Sequence, residues 1–158
     1  MAKKIQFGDI FEVNTNKGLA YFQYTHEHTD APKMGSLIRV ISGYYKKRPD
    51  DFKQVADSPT KFKTFVPLQK SLNVGLVKFV ANEEVPRDSK KFPLFRNGEI
   101  NPETKKVDDW WFWDGKKDWR VGKISEKQKA MPILELVTVP TLIKQIESGW
   151  TPESDPYT

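Results

Sequence analysis

The stretch that decides the fold is Lys106–Ile124, with the sequence KVDDWWFWDGKKDWRVGKI. It contains four of the chain's five tryptophans, and an Asp-Gly pair in its middle is a strong turn signal between two runs of β-prone residues. The pattern predicts a β-hairpin with a five-residue loop, Asp114–Asp118, that sets Trp113 opposite Trp119. Opposed aromatic side chains stabilise a hairpin by about 0.2–1 kcal/mol.

The alternation of side chains along a strand predicts which tryptophans share a face of this hairpin. With Trp113 opposite Trp119, Trp111 joins them on one face, while Trp110 and Phe112 point to the other. Both faces are apolar and need cover, so one interpretation is the core hairpin of a β-domain. The other is a partner-binding face, because tryptophan bordered by charge is the composition of an interface hot spot. The candidate partner-binding residues are Asp108, Asp109, Trp113, Lys116, Lys117 and Trp119.

Composition places the chain among single-domain globular proteins. Its 158 residues are enough for one domain with a sizeable core, and 37% of them are hydrophobic and 13% aromatic. The absence of cysteine excludes disulfides and thiolate zinc sites. No apolar run approaches the roughly 18 residues of a membrane span, and the start MAKKIQFGD lacks the apolar core of a signal peptide. These features predict a cytoplasmic protein that is not associated with a membrane.

The charges along the chain are interleaved. The formal net charge is +5, from 26 lysines and arginines against 21 aspartates and glutamates. Basic clusters such as Lys46–Arg48 and Lys105-Lys106 stand close to acidic pairs such as Asp50-Asp51 and Asp108-Asp109. Interleaving of this kind is typical of a solvated surface and forms no single basic stripe for nucleic acid.

Short runs of β-branched and aromatic residues, cut by Gly, Pro and Asn, predict many short strands. The run at 36–41 has apolar residues at both odd and even positions, which predicts a strand that is buried on both of its faces. Residues 25–34 are polar and predict a loop. Besides the tryptophan hairpin, the predicted strands are 7–13, 19–24, 36–41, a run around Phe62 and Phe65 that ends at Pro67, 75–80 and 131–137.

A helix is predicted near the end of the chain. Leu142, Ile146 and Trp150 recur every four residues, which marks one face of a helix. Pro140 suits the first turn of this helix, and Gly149 suits its end.

The expected fold class is mainly β or α+β, as an antiparallel small barrel or sandwich of about six to nine short strands with a C-terminal helix. A second, short helix is predicted at Pro49–Val55, while Pro67–Asn73 stays ambiguous because its helical spacing is brief. Residues 1–150 are expected to form a single β-rich domain. Residues 151–158, with two prolines, are expected to form a flexible tail.

The sequence carries no recognisable catalytic constellation. It has no phosphate-binding loop, nucleophile elbow or dinucleotide-binding glycine motif. His26 and His28 would share one side of a strand, and a metal ion there would need a third ligand such as Asp30. We therefore expect no functional metal, no cofactor and no enzymatic activity.

Several short motifs together resemble the immunity protein 26 family. In that family a Gly-Asp-hydrophobic strand leads into an aromatic strand after a polar loop, as FGDIFEV (7–13) leads into LAYFQY (19–24) here. The motifs that follow in a similar order are FPLFR (92–96), WDG (113–115), GKI (122–124) and MP (131–132). The segment LIKQIESGW (142–150) is similar to the closing helix of that family.

The resemblance implies a cytosolic immunity protein of a bacterial polymorphic toxin system, which binds and neutralises a cognate toxin domain by stoichiometric protein–protein contact. Immunity proteins against nucleases are often acidic, whereas this chain carries +5. A strongly basic nuclease would suit it only if its acidic groups cluster. The alternative is a nucleic-acid-binding small β-barrel module that uses basic pairs and rings such as Tyr44, Tyr45 and Trp119. The sequence leaves the oligomeric state open.

Overall fold

A computed structural model describes residues 3–158. Its main element is an antiparallel sheet of five strands: β1 (Asp9–Thr15), β2 (Gly18–His28), β3 (Gly35–Ile41), β4 (Thr60–Val66) and β5 (Lys78–Asn82). The strands are ordered β4-β3-β2-β1-β5, so the chain meanders through β1 to β4 and then places β5 beside β1. This confirms the predicted mainly β, antiparallel fold class.

A smaller sheet contains the tryptophan hairpin. After β5 the chain forms β6 (Phe95–Asn97), β7 (Ile100–Asn101), β8 (Lys106–Val107), β9 (Trp110–Trp113) and β10 (Asp118–Gly122). Strands β10, β9 and β6 form a three-stranded sheet in that order, and β7 pairs only with β8. Neither of the larger sheets closes on itself, and side chains of the two form one buried cluster. The arrangement is therefore closer to the sandwich than to the barrel.

The helices lie where turn chemistry and periodicity indicate. They are α1 (Phe52–Ala56), α2 (Leu68–Asn73) and α3 (Val139–Ser148). The hydroxyl of Thr138 accepts the N–H of Thr141 at 3.3 Å and caps the start of α3. Gly149 ends the helix with φ +71°, a left-handed conformation that costs glycine no steric penalty. The predicted C-terminal helix is thus confirmed, and the ambiguous segment after Pro67 is helical.

The main sheet is buried on both faces, as predicted from the pattern of β3. Ile38 and Val40 belong to a cluster on one face that includes Leu142 and Ile146 of α3. Leu37 points to the other face, and it belongs to a cluster there that includes residues of the smaller sheet. The helix and the smaller sheet therefore cover opposite faces of the five-stranded sheet.

Two strand predictions need correction. Strand β2 extends to His28, because Glu27 pairs with Ser36 and His28 with Gly35 where the sequence predicted a loop. The predicted strand at 131–137 is not a regular strand. Its residues make one parallel bridge to β6 and one to β4, and a segment that changes partner within a few residues cannot build a continuous ladder.

Residues 151–158, expected to form a flexible tail, pack against the domain. Pro152 is buried and begins a 3₁₀ turn, Pro152–Ser154. The guanidinium of Arg96 donates to the carbonyl of Pro152 at 2.7 Å and to the hydroxyl of Thr158 at 3.0 Å. The prolines that suggested a tail therefore shape a docked segment, which we call the closing segment.

The packing of α3 yields a stability prediction. Ile146 is 2% exposed, so we expect Ile146→Ala to lower the free energy of unfolding by about 2–5 kcal/mol through lost transfer energy and the cavity left behind. Urea unfolding at equilibrium measures this loss. The control is Lys144→Ala on the exposed side of α3, where a change within about 0.5 kcal/mol is expected. Equal losses in the two variants would contradict the docking of the helix through Ile146.

Candidate partner-binding site

Trp113 is mainly a core residue. Its side chain is 5% exposed and lies in the cluster between the two sheets. The ring centroid is 4.8 Å from that of His28, 5.6 Å from Phe95 and 5.7 Å from Phe92. Most of the ring therefore fills the core, and only its margin borders a surface pocket that Lys116 and Lys117 also line.

The register of the hairpin differs by one residue from the prediction. Asp118 pairs with Trp113, and Trp119 pairs with Phe112, so the loop is four residues long. Since side chains alternate along a strand, this single step moves Trp119 to the face opposite Trp113. The rings of Phe112 and Trp119 accordingly pack edge to face with their centroids 6.3 Å apart.

The side chain of Asp114 fixes the tight loop. Its carboxylate accepts the backbone N–H groups of Lys116 and Lys117, each at 2.9 Å. The hydrogen bond from Lys117, followed by that from Lys116, lowers the pKa of Asp114. The next residue, Gly115, has φ +97°, and a Cβ there would lie 2.9 Å from the ring of Phe92. This position therefore requires glycine, because the backbone of the loop lies against the ring of Phe92.

Trp111 is the exposed tryptophan on the face that carries Trp113. Its side chain is 40% exposed and does not belong to the buried cluster between the sheets. It borders an open depression of about 910 Å³. We call this depression the acidic groove; its lining residues are Asn97, Gly98, Glu99, Ile100, Asn101, Pro102, Glu103, Asp108, Asp109, Trp111 and Asp118.

The acidic groove has a charge opposite to that of the whole chain. Its lining includes five carboxylates and no lysine, arginine or histidine. Asp109 pairs with Arg120 at 2.8 Å, and Asp108 accepts from the amide of Asn101 at 2.7 Å. Among residues 3–158, no ion pair neutralises the other carboxylates of the groove. The groove therefore combines an exposed indole with negative charge that faces solvent.

The structure places the predicted site residues at different surfaces of the protein. Asp108 and Asp109 line the acidic groove, as Trp111 does. Lys116 and Lys117 line an adjoining pocket of about 240 Å³, which also shares Trp111 with the groove. Trp119 is 37% exposed but lies on the opposite face of the small sheet.

Sequence reasoning missed several residues of the groove. The predicted set lacked Trp111, Asp118 and the whole turn that carries Glu99 and Glu103. The parity of Trp111 with Trp113 was a usable signal, but the sequence did not show how far the large sheet would cover that face. Residues 99–103 gave only a turn signal, because their proximity to Asp108 depends on the β7–β8 pairing.

The two histidines have structural partners. His26 Nε2 lies 2.9 Å from the carbonyl of Lys90, and burial lowers the pKa of His26. His28 Nε2 lies 2.8 Å from the carbonyl of Gly115 and so connects β2 to the tryptophan hairpin. Within residues 3–158, no three His, Asp or Glu side chains are grouped closely enough to hold a metal ion. No helix in the same range has the length and apolar character needed to cross a membrane.

No family model, curated protein or solved structure matches this chain. The resemblance to the immunity protein 26 family thus rests on its short motifs alone. A function for the protein has to be inferred from the chemistry of the acidic groove.

The different burial of two tryptophans on one face gives a prediction. Trp113→Ala should lower the free energy of unfolding by about 3–5 kcal/mol, because it empties the cluster between the sheets. Trp111→Ala should cost well under half as much, because much of that ring already contacts water. Denaturant unfolding, followed by far-UV circular dichroism, compares the two. Equal losses would mean that Trp111 is a core residue and not part of an open site.

Proposed function

We propose that the protein is an immunity-type binding protein, which neutralises a cognate bacterial toxin domain by stoichiometric contact through the acidic groove. The observation that carries this proposal is the group of five carboxylates around the exposed ring of Trp111. The bacterial toxin as partner comes from the family resemblance, and the choice of surface comes from the groove. On this proposal the protein acts by occupying the toxin and catalyses no reaction.

The chemistry of the groove favours a basic protein surface as its ligand. Lysine and arginine side chains of a partner would form ion pairs with the carboxylates, and one placed over Trp111 would gain a cation–π contact. Ile100, 44% exposed, adds apolar contact at the same surface. A central aromatic side chain with a charged rim is the usual composition of an interface hot spot.

A stable interface needs more area than the groove alone supplies. Such interfaces bury about 800 Å² on each partner. The adjoining pocket continues the surface past Trp111, and its two lysines, Lys116 and Lys117, outnumber its one carboxylate, Asp118. A partner that spans both would meet negative charge on one side of Trp111 and positive charge on the other, which fixes its orientation.

The nucleic-acid-binding alternative is best supported on the opposite face. There Trp119 is exposed, and Lys117 Nζ lies 6.0 Å from the centroid of its ring, a combination suited to a base and its phosphate. The carboxylates of the acidic groove would repel phosphates. Tyr44 donates its hydroxyl to the carbonyl of Ile146, and Lys17 Nζ and Lys61 Nζ lie 5.7 Å and 5.6 Å from its ring centroid. Tyr45 packs edge to face on Tyr21.

The two exposed tryptophans provide a matched test of the binding face. Trp111→Ala should weaken binding of the toxin domain encoded beside this gene by at least about 2 kcal/mol, or about thirtyfold in Kd. The expected change is mainly faster dissociation, because a buried anchor is lost. Trp119→Ala, with nearly the same exposure on the other face, should leave Kd almost unchanged. Surface plasmon resonance with purified, folded variants measures both.

The possible outcomes distinguish a wrong function from a wrong choice of binding face. Wild-type protein that neither binds the toxin nor protects cells that express it would refute the immunity function. A larger effect from Trp119→Ala would keep that function and move the interface to the opposite face. Strongly salt-dependent binding to a single-stranded oligonucleotide, lost in Trp119→Ala, would favour the nucleic-acid-binding module.

The carboxylates of the acidic groove should mainly affect the rate of association with the toxin. The double variant Glu99→Gln/Glu103→Gln should slow association with the basic toxin by up to about tenfold at low salt, because it weakens electrostatic steering. The effect should shrink at high ionic strength. Asp57→Asn/Glu84→Gln removes two exposed carboxylates outside the groove and is the control. Equal slowing by both double variants would indicate a general charge effect and no specific groove.

A further inference from the structure

One wall of the acidic groove is a two-stranded hairpin that cannot be stable alone. Strands β7 and β8 pair through only two residues each, and isolated two-stranded hairpins are marginal in water. Lys105, at the turn, has φ +61°, an uncommon conformation for a residue with a side chain. The hairpin carries Ile100, Asn101 and Glu103 into the groove lining. Its position must therefore be set by contacts with other parts of the chain.

The closing segment supplies the backbone contact that holds this wall. The N–H of Val107 in β8 donates to the carbonyl of Tyr157 at 3.0 Å. Val107 also packs closely on the backbone of Gly98, where a Cβ would lie 2.3 Å from Val107 Cγ1. Just after β8, Asp109 forms an ion pair with Arg120 that is solvent-exposed and hence weak. The hydrogen bond to Tyr157 ties the wall to the C-terminal end of the chain.

Arg96 holds the closing segment in place. This side chain is 0% exposed and stacks on Trp110, with its guanidinium carbon 4.5 Å from the ring centroid. The two N–H groups of Nη2 are shared among three acceptors: the carbonyls of Pro152 at 2.7 Å and Lys129 at 3.0 Å, and the hydroxyl of Thr158 at 3.0 Å. Nε also donates to the carbonyl of Met131 at 3.3 Å, so two nitrogens of the guanidinium contact three separate parts of the chain.

A second contact fixes the other part of the segment. The indole Nε1 of Trp150 donates to Asp155 at 3.1 Å, just after the end of α3. The chain therefore links the large sheet, through α3 and Trp150, to the closing segment and then to Val107. Arg96 is on β6, directly before Asn97, the first residue of the groove lining.

We propose that the closing segment is a positioning element of the acidic groove. Arg96 and Trp150 fix residues 151–158, and the carbonyl of Tyr157 holds β8 so that the wall presents its side chains to a partner. The part of this inference that concerns affinity rests on the proposed binding function. The part that concerns the wall does not, and it is tested without a partner.

Two variants separate the backbone link from the side chain of Tyr157. A chain that lacks residues 156–158 loses the carbonyl that accepts from Val107, whereas Tyr157→Ala keeps it. In amide hydrogen exchange by NMR, the shortened chain should exchange the Val107 N–H at least about tenfold faster. Amides of β2 and β3 should be unchanged, which shows that the domain is folded. Tyr157→Ala should retain slow exchange at Val107.

Binding of the toxin domain tests the positioning role. The shortened chain should bind about three- to tenfold more weakly, because only a fraction of molecules hold the wall in the binding geometry. Tyr157→Ala should bind as the wild type does. Unchanged exchange at Val107 in the shortened chain would overturn the inference, as would faster exchange with unchanged affinity. If the wild type binds no toxin, the proposed function fails, and the exchange experiment still decides whether the segment holds the wall.

Discussion

The burial of Trp113 between the two sheets is the constraint on which the rest of the structure depends. Its ring fills a cluster with Leu37 and Phe65 of the large sheet and Phe95 of the small one. Aromatic side chains of this size dominate the energetics of a core that they enter. Once this ring is docked, the alternation of side chains along β9 determines which face of the small sheet each neighbouring side chain occupies. Trp111 shares its face but lies past the end of the cluster, so the contact that joins the sheets also leaves an indole exposed at their margin.

Buried guanidinium groups hold the irregular segments that surround the two sheets. Arg39 and Arg96 are both fully buried, and burial lowers the pKa of each, that of Arg39 to about 10. Neither forms an ion pair with a carboxylate within the described residues. Arg39 donates instead to Gln23 and to the carbonyl of Ala56 at the end of α1, as Arg96 does to carbonyls including that of Pro152. Charge-assisted hydrogen bonds offset part of the desolvation of each cation, although Nη1 of Arg96 is buried with no hydrogen-bond partner among the described residues. These bonds exist only while the loops stay in place.

The sequence predicted elements whose cause is local and failed where the cause is distant. The alternation in β3 and the spacing of Leu142 and Ile146 are local, and both elements formed as expected. The tryptophan hairpin was also expected, but its register depends on the carboxylate of Asp114, which can cap a loop of several lengths. The predicted strand at 131–137 failed because its hydrogen bonds go to two different strands. Such partner choices depend on how the sheets pack, which no short window of sequence contains.

The same distinction explains why the sequence did not reveal the negative charge of the candidate site. In the sequence, Asp108 and Asp109 stand beside Lys105 and Lys106, and their charges cancel in any running sum. In the folded protein the two aspartates line the groove, whereas the two lysines do not. Charges are screened over about 8 Å at physiological ionic strength, so a partner in contact senses the nearest carboxylates far more than the +5 of the whole chain. Net charge is therefore a poor guide to the sign of a binding surface in a chain whose charges alternate. A basic ligand is compatible with a basic protein when the fold gathers its acidic groups on one margin.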